Sequence, residues 1–189
     1  GKLVQWSDIQ YLYKMEEHNS VKCAHKITNE HINPNSFQKM RVKYAAQIFS
    51  KTVSAAMKSL IKNKIISEQQ FPSFKNTSEF LLFFDKLFNI FNSSFNGQSH
   101  VRRVFIGDTE QIDFLIKAKS LLKNLLINDH NGKSIKDKFP FLKGWIVNIN
   151  SLLGLSKFLF ARNLKYILTR RLCQDSLEHF FCSIRKGAG

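Results

Sequence analysis

The segment "HKITNEHINPNSFQKMRVKYAAQIFSKTVSAAM", residues 25–57, decides which kind of fold this chain adopts. From Ser36 onward its apolar side chains, Phe37, Met40, Tyr44, Ile48, Val53 and Met57, with Leu60 beyond, recur at nearly helical spacing. That period predicts one long amphipathic helix opening at Ser36. The same period returns in Phe80, Phe84, Leu87, Phe88 and Phe91, the wide apolar stripe of a core-packed helix near Thr77, and again from Thr109 to about Ile127. Nearer the start, Ser7 is the candidate cap of a first helix whose stripe is Ile9, Leu12 and Tyr13.

Polar stretches separate these segments. Residues 16–36, "EEHNSVKCAHKITNEHINPNS", read as a loop or short helices, and "SEQQFPSFKNTS" and "NSSFNGQSHVRRVFIGD" read as loops. "NDHNGKSIKDKFP", with Asn131-Gly132 and Pro140, is a break and the candidate domain boundary. Beyond it, "GWIVNINSLLGLSKFLF" reads as a strand or helix start followed by a helix. No alternating run is long enough to define a sheet, so the expected fold is mainly α.

The chain has 189 residues, 43% hydrophobic and 23% charged, with 18 Phe to fill a core. These proportions fit a folded globular protein and exclude a disordered one. Its 29 Lys and Arg against 14 Asp and Glu give a net charge of +15, which implies a polyanionic partner, nucleic acid ahead of an anionic membrane surface. The same excess is also compatible with a merely solvated surface. No apolar run reaches the length of a membrane span. Cys23, Cys173 and Cys182 are odd in number and lack CxxC spacing, which fits a reducing compartment rather than a disulfide framework or a zinc site. The six histidines have no metal spacing. A first residue of Gly rather than Met is expected of a piece excised from a longer protein.

The closing stretch "TRRLCQDSLEHFFCSIRKGAG", residues 169–189, carries two carboxylates three residues apart. On a helical projection, Leu177, Phe180, Phe181 and Ile184 share one side, and Asp175, Glu178 and Cys182 share the other. Such a pair repels mildly unless a cation lies beside it. Spacing alone leaves both a solvated face and a metal-holding face open.

"LTRRLCQDSLEHFFCSIR", residues 168–185, resembles the C-terminal signature of P-element-type transposases, departing mainly at Cys173, where Asn is usual. The segment 25–57 resembles the start of that family's GTP-binding insertion domain, with its K-L-T-x-x-H-I and K-M-x-V-x-x-A-x-Q-x-F-S elements. "FDKLFNIFNSS", residues 84–94, resembles its L-F-D-x-x-N-S segment. The motifs keep family order and span nearly the whole chain.

The resemblance implies a helical GTP-binding insertion domain over 1–138. It implies a C-terminal fragment of an RNase H-like α/β catalytic domain over 139–189. Glu178 matches the last acid of a carboxylate triad that holds Mg²⁺ or Mn²⁺, with Asp175 as its nucleotide-side neighbour at the metal. The other two acids are expected upstream of this chain, so the fragment alone would not catalyse. Lys26, Arg41, Val42 and Ser50 match nucleotide-contacting positions, and Asn92 a base-contacting one. Asn89 stands where the family has Asp, and an amide offers guanine one acceptor oxygen where a carboxylate offers two. Without the family match, Lys26 and Arg41 read as surface charges, Ser50 as bonding its own backbone, and Asn92 as a helix end. A GxxxxGK[ST] phosphate loop is absent, which excludes a conventional GTP-hydrolysing switch.

The implied function is part of a nuclear DNA transposase that binds GTP-Mg²⁺ as a non-hydrolysed architectural cofactor. Its expected partners are DNA and, in the full-length protein, further copies of itself. The alternative is a domesticated, non-catalytic helical module that binds DNA or protein.

Overall fold

Apolar side chains three and four residues apart set most of the helices, and polar side chains set where they stop. The computed structural model describes residues 2–17, 22–67, 69–94, 104–129, 131–173 and 180–184. It is mainly helical, and among the described residues the only β pairing is two isolated bridges. The chain divides into two compact units, Gly1–Phe88 and Asn89–Gly189.

The first unit begins with α1 (Trp6–Glu17), which buries Ile9 and Leu12 as the period requires. It starts one residue before Ser7, so Ser7 lies inside its first turn and does not cap it. Short helices α2 (Asn29–Ile32), α3 (Ser36–Lys39) and α4 (Val42–Ile48) follow, then α5 (Lys51–Lys62) and α6 (Phe74–Phe91), which belongs to this unit as far as Phe88.

The single long helix expected from Ser36 is therefore three helices, and the reason is local. Asn35 accepts the Gln38 N–H at 2.9 Å while Gln38 Oε1 accepts the Asn35 N–H at 2.8 Å, a reciprocal cap that opens α3. Arg41 (φ −86°, ψ 107°) and Ser50 (φ −130°, ψ 151°) are extended and interrupt the helical path twice. Phe37 and Met40, which fit the period, are 74% and 75% exposed. Ile48, Val53, Ala56 and Met57 join Ile9, Leu12, Phe74 and Leu81 in the core.

The helix expected near Thr77 starts earlier, at Phe74, which is fully buried, and Tyr11 stacks on Phe71 with ring centroids 4.3 Å apart. A buried carboxylate ties α1 to the start of α6. Asp8 accepts from Ser73 Oγ at 3.0 Å and from Thr77 Oγ1 at 2.5 Å. Two hydroxyls thus satisfy a charge taken from water, and Gln5 N–H donates in turn to Thr77 Oγ1 at 3.2 Å.

In the second unit, α7 (Thr109–Asn124) packs on α8 (Phe141–Phe160). Asp108 caps α7 by accepting the Gln111 N–H at 2.8 Å, and the helix ends at Asn124, short of Ile127. The stretch from Gly144 to Phe160 is helix throughout, with no strand at its start. Gly107 (φ +69°) needs glycine twice over, because a Cβ there would also come within 2.4 Å of the Phe160 ring. Phe105 pairs with Ile167 in one antiparallel bridge, and Asn128 with Ser134 in the other.

Thr169, the first residue of the closing stretch, is buried and stitches residues 169–172 to the end of α6. Its hydroxyl donates to the Ile90 carbonyl at 2.5 Å and accepts the Ser93 N–H at 3.1 Å. Ser93 Oγ accepts the Thr169 N–H at 3.3 Å, and the two hydroxyl oxygens lie 2.8 Å apart. The Thr of the L-T-R element is thus a structural residue. Thr169→Val keeps the shape but strands a buried donor and acceptor, and should lower unfolding free energy by about 2–4 kcal/mol. Thr169→Ser, which keeps the hydroxyl, should cost about 1 kcal/mol or less. Urea denaturation of the two variants checks this; a loss from Thr169→Ser as large as that from Thr169→Val would show that the hydroxyl contributes no more than the methyl.

Candidate functional site

Lys26, Arg41, Val42 and Ser50 all lie in the first unit, and each sits where the backbone turns or a helix begins. Lys26 is exposed at the end of the turn over 23–26, between the buried Ala24 and Ile27. That turn is clamped by Glu16, a buried residue whose carboxylate accepts the N–H groups of Cys23 and Ala24 at 3.1 and 2.8 Å. The backbone of Lys26 is thereby fixed by its apolar neighbours while its ammonium stays in water.

Arg41 is exposed and precedes the first residue of α4. Its N–H donates to the Gln38 carbonyl at 3.0 Å, and its carbonyl accepts the Tyr44 N–H at 3.1 Å. Val42 opens α4 and is 67% exposed, an apolar side chain presented to solvent beside a cation. One turn on, the Tyr44 phenol donates to the Glu30 carboxylate. That hydrogen bond, with burial adding to it, holds the phenol above its usual range, while the neighbouring Arg41 guanidinium pulls the other way.

His31 is the hub beneath this cluster. It is 4% exposed, and its Nδ1 accepts the Thr28 N–H at 3.1 Å, completing a reciprocal cap of α2. With Nδ1 as acceptor, Nε2 is the donor to Gln47 Oε1, 2.9 Å away. The Tyr44 ring meets the imidazole edge-on at 4.7 Å. Thr28, His31, Tyr44 and Gln47 therefore lock α2 against α4 and fix the residue that follows Met40.

Ser50 caps α5. Its Oγ accepts the Val53 N–H at 3.4 Å and donates to the Gln47 carbonyl at 2.8 Å, so both of its roles are taken by backbone. Gln47 belongs to both arrangements, through its side chain to His31 and through its carbonyl to Ser50.

Asn89 and Asn92 lie in the second unit, at the end of α6. Asn89 is 8% exposed and engaged by its neighbours; Asn92 is half-buried, and its N–H donates to the Asn89 carbonyl at 3.3 Å. Asp175 and Glu178 fall outside the described residues, as do Arg102 and Arg103. Among the described residues no three His, Cys, Asp or Glu side chains gather as a metal site, and no helix is long and apolar enough to cross a membrane. Cys23, Cys173 and Cys182 are free thiols.

Sequence reasoning missed the residues that hold this surface in place: Glu16, Glu30, Tyr44 and Gln47. The available signal was the Thr28–His31 spacing, a cap pattern with imidazole in the place of Glu or Gln.

The chain belongs to the P-element-type transposase family: residues 1–103 match the TNP-like, GTP-binding insertion domain. The whole chain is 30% identical, over 197 residues, to the Transposable element P transposase of Drosophila melanogaster. It aligns with 24% of that protein, and so spans about a quarter of the curated relative it matches. Among solved structures it is similar to the Drosophila P element transposase strand transfer complex, with a TM-score of 0.78 and 29% identity, covering 94% of this chain and 39% of that one.

Proposed function

We propose that this chain is the guanine-nucleotide-binding portion of a P-element-like DNA transposase acting in the nucleus. GTP would serve as an architectural cofactor that is not hydrolysed. The observation that supports this reading most is the match of residues 1–103 to a GTP-binding insertion domain, joined to the exposure of Lys26 and Arg41 on anchored backbone. An ammonium and a planar guanidinium suit the phosphates. The Tyr44 phenol is engaged by the Glu30 carboxylate and lies beside the Arg41 guanidinium. Ser50 would reach a phosphate only by turning its proton away from the Gln47 carbonyl. Val42 would offer apolar contact, and Asn92 a side-chain amide to the base.

Residues 139–189 are assigned by role to the RNase H-like catalytic segment and residues 1–138 to the insertion, a division by function rather than by packing, since α7 and α8 pack together. Glu178, with Asp175 beside it, would hold Mg²⁺ or Mn²⁺, which when bound supplies charge to activate the attacking oxygen and stabilise the leaving one. The DNA partner would be transposon ends and target, held mostly through phosphates, by a protein that associates with further copies of itself.

Isothermal titration of the chain with GTP and Mg²⁺ tests the nucleotide claim. Binding should be measurable and weakened about tenfold or more by Arg41→Ala. No heat and no thermal shift at millimolar concentrations (about 1–5 mM, spanning ordinary weak affinities) would reject it. A second reading, a non-catalytic DNA- or protein-binding module, draws on the burial of Asn89. Asn89→Asp should raise preference for guanine over adenine nucleotide if this position reads the base, and leave it unchanged if Asn89 is only structural. For Glu178, the full-length Glu178→Gln variant should lose strand transfer and keep DNA binding; retained strand transfer would remove Glu178 from the metal site.

A further inference from the structure

Three lysines of α5, Lys51, Lys58 and Lys62, are exposed and stand at i, i+7 and i+11. On a helix this places them within about 40° of one another, along roughly 16 Å of its length. The sequence of α5, KTVSAAMKSLIK, holds no Asp or Glu, so nothing within the helix offsets them. Its opposite side, Val53, Ala56 and Met57, is buried in the core. Between the lysines the exposed positions are Ala55 and Ser59, small side chains that leave the ammonium groups accessible.

The field extends beyond the helix. Lys2 Nζ lies 2.8 Å from Glu79 Oε2, with both side chains open to solvent. The Lys2 hydrogen bond holds the Glu79 carboxyl below its ordinary range, and the nearby charges of Lys75 and Lys58 act in the same direction. Glu79 thus has Lys2 as its hydrogen-bonded partner and faces three lysine charges, Lys2, Lys58 and Lys75, so a single carboxylate leaves the positive excess in place.

We propose that the α5 lysine row, Lys51, Lys58 and Lys62, is a docking surface for the sugar-phosphate backbone of duplex DNA. Duplex DNA presents a negative charge about every 1.7 Å of its axis with both strands counted, so the roughly 16 Å that the row spans carries about ten phosphates, only those on the near side facing it. Lysines on flexible stems meet such a lattice as point charges, without needing a fixed register. A membrane surface fits less well, because helices that lie in lipid headgroups need bulky apolar residues facing the same way as their flanking lysines. The apolar side of α5 is already used by the core. The row is separate from Lys26, Arg41 and Ser50, and it rests on the transposase reading, to which it adds the surface that the DNA would meet.

The test is fluorescence anisotropy of a labelled 20-base-pair duplex with the whole chain, from about 50 to 200 mM salt. The triple variant Lys51→Gln, Lys58→Gln, Lys62→Gln keeps the stems and removes the charges. It should bind about tenfold or more weakly at low salt, and its log K against log [salt] slope should be shallower by about 2.7. Lys58→Gln alone should make the slope shallower by about 0.9. A control with the same charge removed from the second unit, Lys117→Gln, Lys123→Gln, Lys133→Gln, should leave affinity and slope nearly unchanged. Because all six lysines carry charge at the surface, both triple variants should unfold at the wild-type temperature. Equal losses from the two triple variants would overturn the proposal, as would phosphatidylserine vesicles binding through the α5 row while DNA binding is unaffected. Wild-type protein that binds no duplex at all would instead defeat the DNA-partner reading itself, an outcome separable from the GTP titration.

Discussion

Two departures of the backbone from the helical region, at Arg41 and at Ser50, govern what the first unit can present. On an uninterrupted helix, residues nine apart project in opposite directions, because nine steps of about 100° amount to two and a half turns. Arg41 and Ser50 would then face away from each other. Breaking the helix at both positions removes that constraint and leaves each residue at a helix start. Lys26 follows the same rule, at the end of a turn rather than within a helix. The candidate nucleotide residues are the punctuation of the fold.

Breaks of this kind need support, since each one forfeits intrahelical hydrogen bonds. The unit provides it with buried polar side chains whose partners are all identified. Glu16 holds the turn before Lys26, His31 joins the cap of α2 to Gln47, and Gln47 joins that pair to the cap of α5. Asp8 fastens α1 to the first turn of α6 through Ser73 and Thr77. None of these buried groups depends on a salt bridge for satisfaction; hydroxyls, amides and imidazole do the pairing. A buried network of this kind adds less to net stability than to the choice of one arrangement over others.

Helical character and the Phe-rich stripe were legible because they repeat locally: α6 and α7 fall where their periods put them, within a few residues. The breaks within 36–60 were not, because Phe37 and Met40 continue the apolar period although solvent surrounds them. Periodicity reports spacing and says nothing about whether a partner surface exists. The Asn35–Gln38 pair and Ser50 ahead of Val53 were readable cap signals that the stronger apolar pattern outweighed. The start of "GWIVNINSLLGLSKFLF" reads equally as strand or helix from its apolar run, and it is helix in α8, which packs on α7. The link from Glu30 to Tyr44 and from His31 to Gln47 crosses from one helix to another, so no local pattern could reveal it. Of the candidate site, the family motifs nominated the positions, and the structure shows that Arg41, Val42 and Ser50 stand at helix starts.

The central claim is that these helix starts form a nucleotide-binding surface. Hydrogen–deuterium exchange of the chain with and without GTP-Mg²⁺ tests it directly, since amides next to bound phosphate exchange more slowly. Slower exchange should appear at residues 24–28, 41–44 and 50–53, with α8 and the Asn128–Ser134 turn unaffected. Protection spread evenly over the chain, or none at those three segments under saturating nucleotide, would contradict the account.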